Sequence, residues 1–141
     1  MTAINGFERQ LSDIQGRVFE LSIAKGLDSA VFIEKFMNSA TCEYLDMPYD
    51  RLQWAGEEYI LENLMEEQVI TSGGRQFDKE ALFWIGYVYR YWHLLTGESS
   101  KDIYLQADAQ TMNESYLAFH SLEVTMAIED LKEIYRQKNV E

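Results

Sequence analysis

Apolar positions early in the chain recur at helical spacing. Ile4, Phe7, Leu11, Ile14, Val18 and Leu21 lie three or four residues apart, which predicts a helix over roughly 4–25 with one apolar seam. Gly26 is a natural stop, and Asp28 or Ser29 a new cap. The seam suits packing on the domain's own core and, as a second reading, a homodimer through the 4–25 helix. A short helix follows in "DSAVFIEKFMNS", with Val31, Phe32, Phe36 and Met37 inward. "ATCEYLD" adds a turn or two before Met47-Pro48 interrupts, because proline biases the preceding residue away from helical geometry. Asp50 is placed to cap "RLQWAGEEYILENLMEE", where Ile60, Leu61, Leu64 and Met65 share a face. "VITSGGRQF" has strand character, and Gly73-Gly74 within it predicts a small β-hairpin or an irregular loop near 69–77.

The segment "ALFWIGYVYRYWHLLTG", residues 81–97, carries six aromatic rings and a single formal charge, Arg90. On a helical wheel it shows three stripes. Leu82, Ile85, Tyr89 and Trp92 form one; Trp84, Val88, Tyr91 and Leu95 form another; Phe83, Tyr87, Arg90 and Leu94 form the third. A helix apolar on every side is normally enclosed by other helices. A membrane span fits poorly, since the run is short and holds Arg90 and several polar ring groups. Asp78 is placed to cap this helix and Gly97 to end it. The third stripe stays open between full burial and a partly exposed groove or interface, because buried rings with an arginine and binding hot spots look alike in sequence.

Beyond it, "ESSKDIYLQA" reads as a short helix capped at Ser99. "TMNE" at 111–114 matches a capping box, and a last helix covers about 122–138. The expectation is an all-α fold, a single domain over 1–141, with six or seven helices bundled around a central aromatic helix.

Charge changes the functional picture. The formal net charge is −12, and residues 34–67 hold nine acids against Lys35 and Arg51. Nucleic acid and anionic membrane are poor partners for such a surface, whereas a basic protein is a good one. One cysteine, Cys42, excludes an internal disulfide, and the start of the chain shows no basic end followed by an apolar run, so a reducing cytoplasm is expected. Glu58, Glu62 and Glu66 stand at i, i+4 spacing, where like charges cost about 0.2–0.5 kcal/mol per pair. The row is either a solvated face or a face awaiting Lys or Arg from another molecule.

Catalytic signatures are missing: no P-loop, no dinucleotide glycine fingerprint, no H-E-x-x-H. His93 and His120 encode no helical metal pair, and no metal or cofactor is expected. Cys42 reads as a small buried apolar residue. "SGGR" at 72–75 and "GESSK" at 97–101 could each hold an anion or be ordinary turns.

Two segments carry a resemblance. "CEYLDMPYDRLQWAGEEYILENL" resembles a segment of short helical proteins of Gram-positive gut bacteria, in which a Tyr-Asp pair precedes a Leu-His-x-x-Gly core and then Glu-Tyr-Ile. Tyr49, Asp50, Leu52, Gly56, Glu58, Tyr59 and Ile60 match; Gln53 stands where the pattern carries His. "FWIGYVYRYWHLLTGESSKDIY" is similar to a block in related small proteins. Genes of that group sit beside toxin-like genes, so the resemblance implies an antitoxin-like or accessory role.

Two functions are thus expected. The first is a non-enzymatic interaction module masking a basic, toxin-like partner protein. Glu58, Glu62 and Glu66 would steer it, and Phe83, Tyr87 and Arg90 would anchor it. The alternative is a small enzyme or ligand-binding domain with an aromatic-walled pocket and His93 or Glu57 as acid/base.

Overall fold

Asn5 opens the first helix with a capping box: its side chain accepts from the Glu8 amide at 2.8 Å, and Glu8 accepts from the Asn5 amide at 2.9 Å. In the computed structural model, which describes residues 4–139, that helix is α1 (Gly6–Ala24). Then come α2 (Ser29–Met37), α3 (Ala40–Asp46), a 3₁₀ turn (Arg51–Trp54) and α4 (Glu57–Glu67). The second half comprises α5 (Lys79–Thr96), α6 (Ser100–Gln106), α7 (Ala109–Phe119) and α8 (Val124–Lys138). The fold is all-α, and the described residues hold one more helix than the upper expectation.

Side-chain oxygens start most helices. Asp28, Ser39 and Ser99 cap α2, α3 and α6, each accepting an amide hydrogen bond of 3.0–3.1 Å. Asp108 caps α7 by accepting from the Thr111 amide, so "TMNE" lies inside the helix and does not open it. Asp50 caps only the 3₁₀ turn. Gly56, at φ 85°, breaks the chain before α4 begins, so the single helix expected over this stretch is two elements. Gly97, at φ 79°, ends α5 in the left-handed conformation that favours glycine.

The centre of the fold is the crossing of α1 and α5. Leu82, Ile85, Val88, Tyr89 and Trp92 of α5 are fully enclosed, together with Val18 and Phe19 of α1. Phe19 makes edge-to-face contacts with Phe32 and Phe36 of α2, at centroid separations of 5.1 Å. Tyr89 is buried too and donates its hydroxyl to the Ala107 carbonyl at 2.6 Å. The α1 seam is therefore spent inside the chain; of its six residues only Phe7 is exposed.

Two glycines set how closely the helices approach. A β-carbon on Gly86 would lie 2.7 Å from the Gln15 carbonyl oxygen and 3.0 Å from the Gly16 α-carbon. One on Gly16 would meet the Phe83 ring at 2.8 Å and the Phe83 carbonyl oxygen at 2.9 Å. The backbones touch at this crossing, and an ordinary side chain would hold them apart.

The expected hairpin near 69–77 does not form. Among the described residues the only β-pairing is a single antiparallel bridge between Leu27 and Ser72. The segment bonds across to the α1–α2 connection instead of to itself. Asp28 N–H donates to the Thr71 carbonyl, Ser29 N–H to the Arg75 carbonyl, and Gly73 N–H to the Gly26 carbonyl at 2.7 Å. Those amides and carbonyls would otherwise lack partners, and a distant loop satisfies them as well as a hairpin would.

Candidate partner-binding surface

Arg90 sits on the inner side of α5 and is 2% exposed. A buried guanidinium needs its donors met. Its Nε donates to Gln15 Oε1 at 2.8 Å, Nη1 to Asp46 Oδ1 at 2.7 Å, and Nη2 to Cys42 Sγ at 3.4 Å. Gln15 in turn donates to the Gly86 carbonyl at 3.0 Å. Arg90 is thus a brace between α1, α3 and α5, with each of its three side-chain nitrogens bonded within the chain.

Asp46 is the hub of this brace. Besides Arg90 it receives the Ser100 hydroxyl at 2.7 Å and the Ser100 amide at 2.9 Å. The "GESSK" segment therefore does hold an anion, and the anion is the chain's own carboxylate at the start of α6. Burial pushes the Asp46 carboxyl up, but Arg90, His93 and the two Ser100 bonds outweigh it and hold it below the usual carboxylate range. Burial also pushes the Cys42 thiol up, to about 11, despite the opposing guanidinium.

His93 places Nδ1 2.6 Å from the Glu98 carbonyl oxygen and Nε2 3.1 Å from the Asp46 carbonyl oxygen. Each ring nitrogen faces a backbone carbonyl oxygen. Glu98 anchors a second cluster: it accepts from Trp92 Nε1 at 2.9 Å, Gln106 at 2.7 Å and Lys132 at 2.8 Å. Against the upward push of burial, those donors from Lys132, Gln106 and Trp92 draw the Glu98 carboxyl down to about 2. Among the described residues no buried side-chain nitrogen or oxygen lacks a partner, and no cluster of three metal-ligating side chains occurs. The void beside Gln15, Gln53 and Arg90 has a volume of about 10 Å³, room for one water at most. Glu57 faces elsewhere, onto an open groove with Arg17, Glu20 and Lys79. At 72–75, Arg75 lies over the Phe77 ring, 5.5 Å from its centroid.

Phe83 and Tyr87 are half-buried. Phe83 rests on Gly16 of α1 and stacks with Tyr87, which leans on Tyr91; both ring pairs are 6.0 Å apart. This ladder packs along α1, and its rings are only partly open to solvent.

The exposed aromatics are elsewhere. Tyr44 (48% exposed), Tyr49 (90%), Trp54 (66%) and Tyr59 (56%) all fall between α3 and the first turn of α4, with Met47 beside them. Trp54 stacks on Phe7 at 4.8 Å, which brings the start of α1 into the same face. Tyr49 has φ 65°, a backbone conformation costly for a bulky residue, and its ring stands in solvent. Tyr44, Asp50, Arg51, Tyr59 and Asn63 line an open groove of about 520 Å³. Gln53 donates to the Leu45 and Met47 carbonyls at 3.0 Å and ties α3 to the 3₁₀ turn.

Glu58, Glu62 and Glu66 are exposed on α4, as expected. Among the described residues none of the three forms an ion pair. Helical spacing places Glu62 and Glu66 three and seven residues after Tyr59, so the row borders the groove. Met65, expected to share a face with Ile60, Leu61 and Leu64, is exposed while those three are buried. Tyr44, Tyr49 and Trp54 fall in three different short elements, α3, a turn and the 3₁₀ turn, so no single periodicity joins them; the signal present was four large rings in a segment that Pro48 and Gly56 keep from being one helix.

No family model matches the chain, and neither the curated proteins nor the solved structures contain a match to it. Among the described residues no helix is long and apolar enough to cross a membrane.

Proposed function

We propose that this chain is a non-catalytic protein-interaction module whose α3–α4 face masks a basic surface of a partner protein, as an antitoxin-like component does. The observation that carries the reading is the coincidence of two features on one face. Four exposed aromatic rings lie within residues 44–59, and an exposed carboxylate row without internal cations adjoins them. Large apolar rings left in water are a cost that an interface removes, and Tyr and Trp supply most hot spots. The carboxylates speed encounter with a basic surface and reject acidic ones.

Phe83 and Tyr87 support the fold along α1, so the anchoring role passes to Trp54 and its neighbours. The test is co-purification of the tagged chain with its partner from the native host. Reversing Glu58, Glu62 and Glu66 to Lys, and separately Trp54→Ala, should each lower recovery at least tenfold while circular dichroism stays unchanged. Undiminished recovery with both variants would falsify the assignment.

A further inference from the structure

We propose that the groove between Tyr44 and Tyr59 receives an arginine side chain from a basic segment of the partner. The inference rests on the reading of this face as an interface and names the chemistry of its central contact. Three observations carry it. The groove is open, about 520 Å³, and its walls include Tyr44 and Tyr59, both about half exposed. Asp50 lies among the lining residues, with Oδ1 accepting from the Leu52 amide and, among the described residues, no hydrogen bond to Oδ2. From 43 to 67 the chain holds eight acids against one cation, Arg51. Three of those acids are committed internally: Glu43 to Lys101, Asp46 to Arg90, Glu67 to Ala40 and Thr41. The exposed Glu58, Glu62 and Glu66 are not.

Aromatic faces attract a cation through the ring quadrupole, and a guanidinium can stack flat on a ring while keeping its donors in plane for a carboxylate. An ammonium offers a point charge without that planar match. A neutral or acidic segment would leave the carboxylate row uncompensated. Flanking basic residues of the segment then meet Glu58, Glu62 and Glu66, whose contribution falls with salt. Arg51, the cation on the groove wall, opposes the incoming charge.

The probe is a short capped Gly/Ser peptide with arginine at alternate positions, titrated into the full chain at low salt and followed by amide ¹⁵N–¹H spectra. Shifts should centre on Tyr44, Tyr59 and Asn63. Tyr44→Ala or Tyr59→Ala should weaken binding about five- to tenfold, Arg51→Ala should tighten it, and citrulline in place of arginine should abolish it. The proposal is overturned if the shifts spread evenly over the acidic surface, if no shifts appear, or if the lysine or citrulline peptide binds as well. It is also overturned if either tyrosine variant, folded by circular dichroism, binds like the parent. The two readings separate in the co-purification. A captured partner lost on reversal of Glu58, Glu62 and Glu66 but kept by Tyr44→Ala and Tyr59→Ala sinks the arginine groove and leaves the interface standing. Peptide seated at the groove with no partner dependent on this face sinks the interface and leaves the groove's chemistry standing.

Discussion

Replacing Gly86 with alanine sets two effects against each other, and the structure says which wins. In a helix interior alanine is favoured over glycine by about 0.5–1 kcal/mol. Judged from sequence alone, Gly86→Ala in the middle of α5 should therefore stabilise. The new methyl, however, would lie 2.7 Å from the Gln15 carbonyl oxygen, 2.9 Å from Phe19 Cγ and 3.0 Å from the Gly16 α-carbon. Two of those neighbours are backbone atoms of α1 and cannot rotate away, so the helices must part. Overpacking of this kind costs typically about 1–3 kcal/mol. The same displacement stretches the Gln15–Gly86 bond, now 3.0 Å, and through it the Gln15–Arg90 bond at 2.8 Å. With each buried bond contributing about 1 kcal/mol, the expected net loss is about 2–3 kcal/mol. Gly6→Ala is the control: nothing lies within 4 Å of its β-carbon, so the change should be neutral or stabilise by up to about 1 kcal/mol. Urea unfolding followed by far-UV circular dichroism reads both values, with an unchanged m-value required for the comparison. Gly86→Ala at or above parental stability would refute the backbone contact between α1 and α5.

Three further outcomes follow from the buried groups. Arg90→Met should cost about 3–5 kcal/mol in the same assay, because it strips the guanidinium from the mostly buried Asp46; Arg90→Met combined with Asp46→Asn should recover part of that loss. On acidification, Glu98 contributes stability that is fully present above about pH 4.5 and lost as pH falls toward its folded value of about 2. For this roughly one-quarter-exposed side chain that amounts to about 1–2 kcal/mol after solvent screening, and Glu98→Gln should flatten the acid limb of a thermal-stability profile. Cys42, enclosed and with its thiol pushed up to about 11, should resist iodoacetamide at neutral pH in the folded chain and react on unfolding, as mass spectrometry would show.

Local rules were legible where the chain had only local choices to make. Helix starts at Asp28 and Ser99 follow from side-chain oxygens that reach amides three residues on, and Gly97 ends α5 because the left-handed cap suits glycine. The central place of α5 followed from apolar residues on every side of it, since such a helix must be surrounded. The Gly73-Gly74 turn was legible as a turn but not as to its partner: the strand-like residues could satisfy their backbone groups with any nearby segment, and they bond to the 26–29 loop.

Periodicity and caps, which act within a few residues, determined the all-α class, the position of the aromatic helix and the exposed acidic row on α4. Only the tertiary structure decided what Arg90 does. Its partners Gln15, Cys42 and Asp46 lie between 44 and 75 residues away along the chain, and no local spacing encodes such a meeting. It likewise decided that the most exposed rings are those of 44–59, because a side chain's exposure depends on which distant elements cover it, and nothing within its own stretch of sequence reports that.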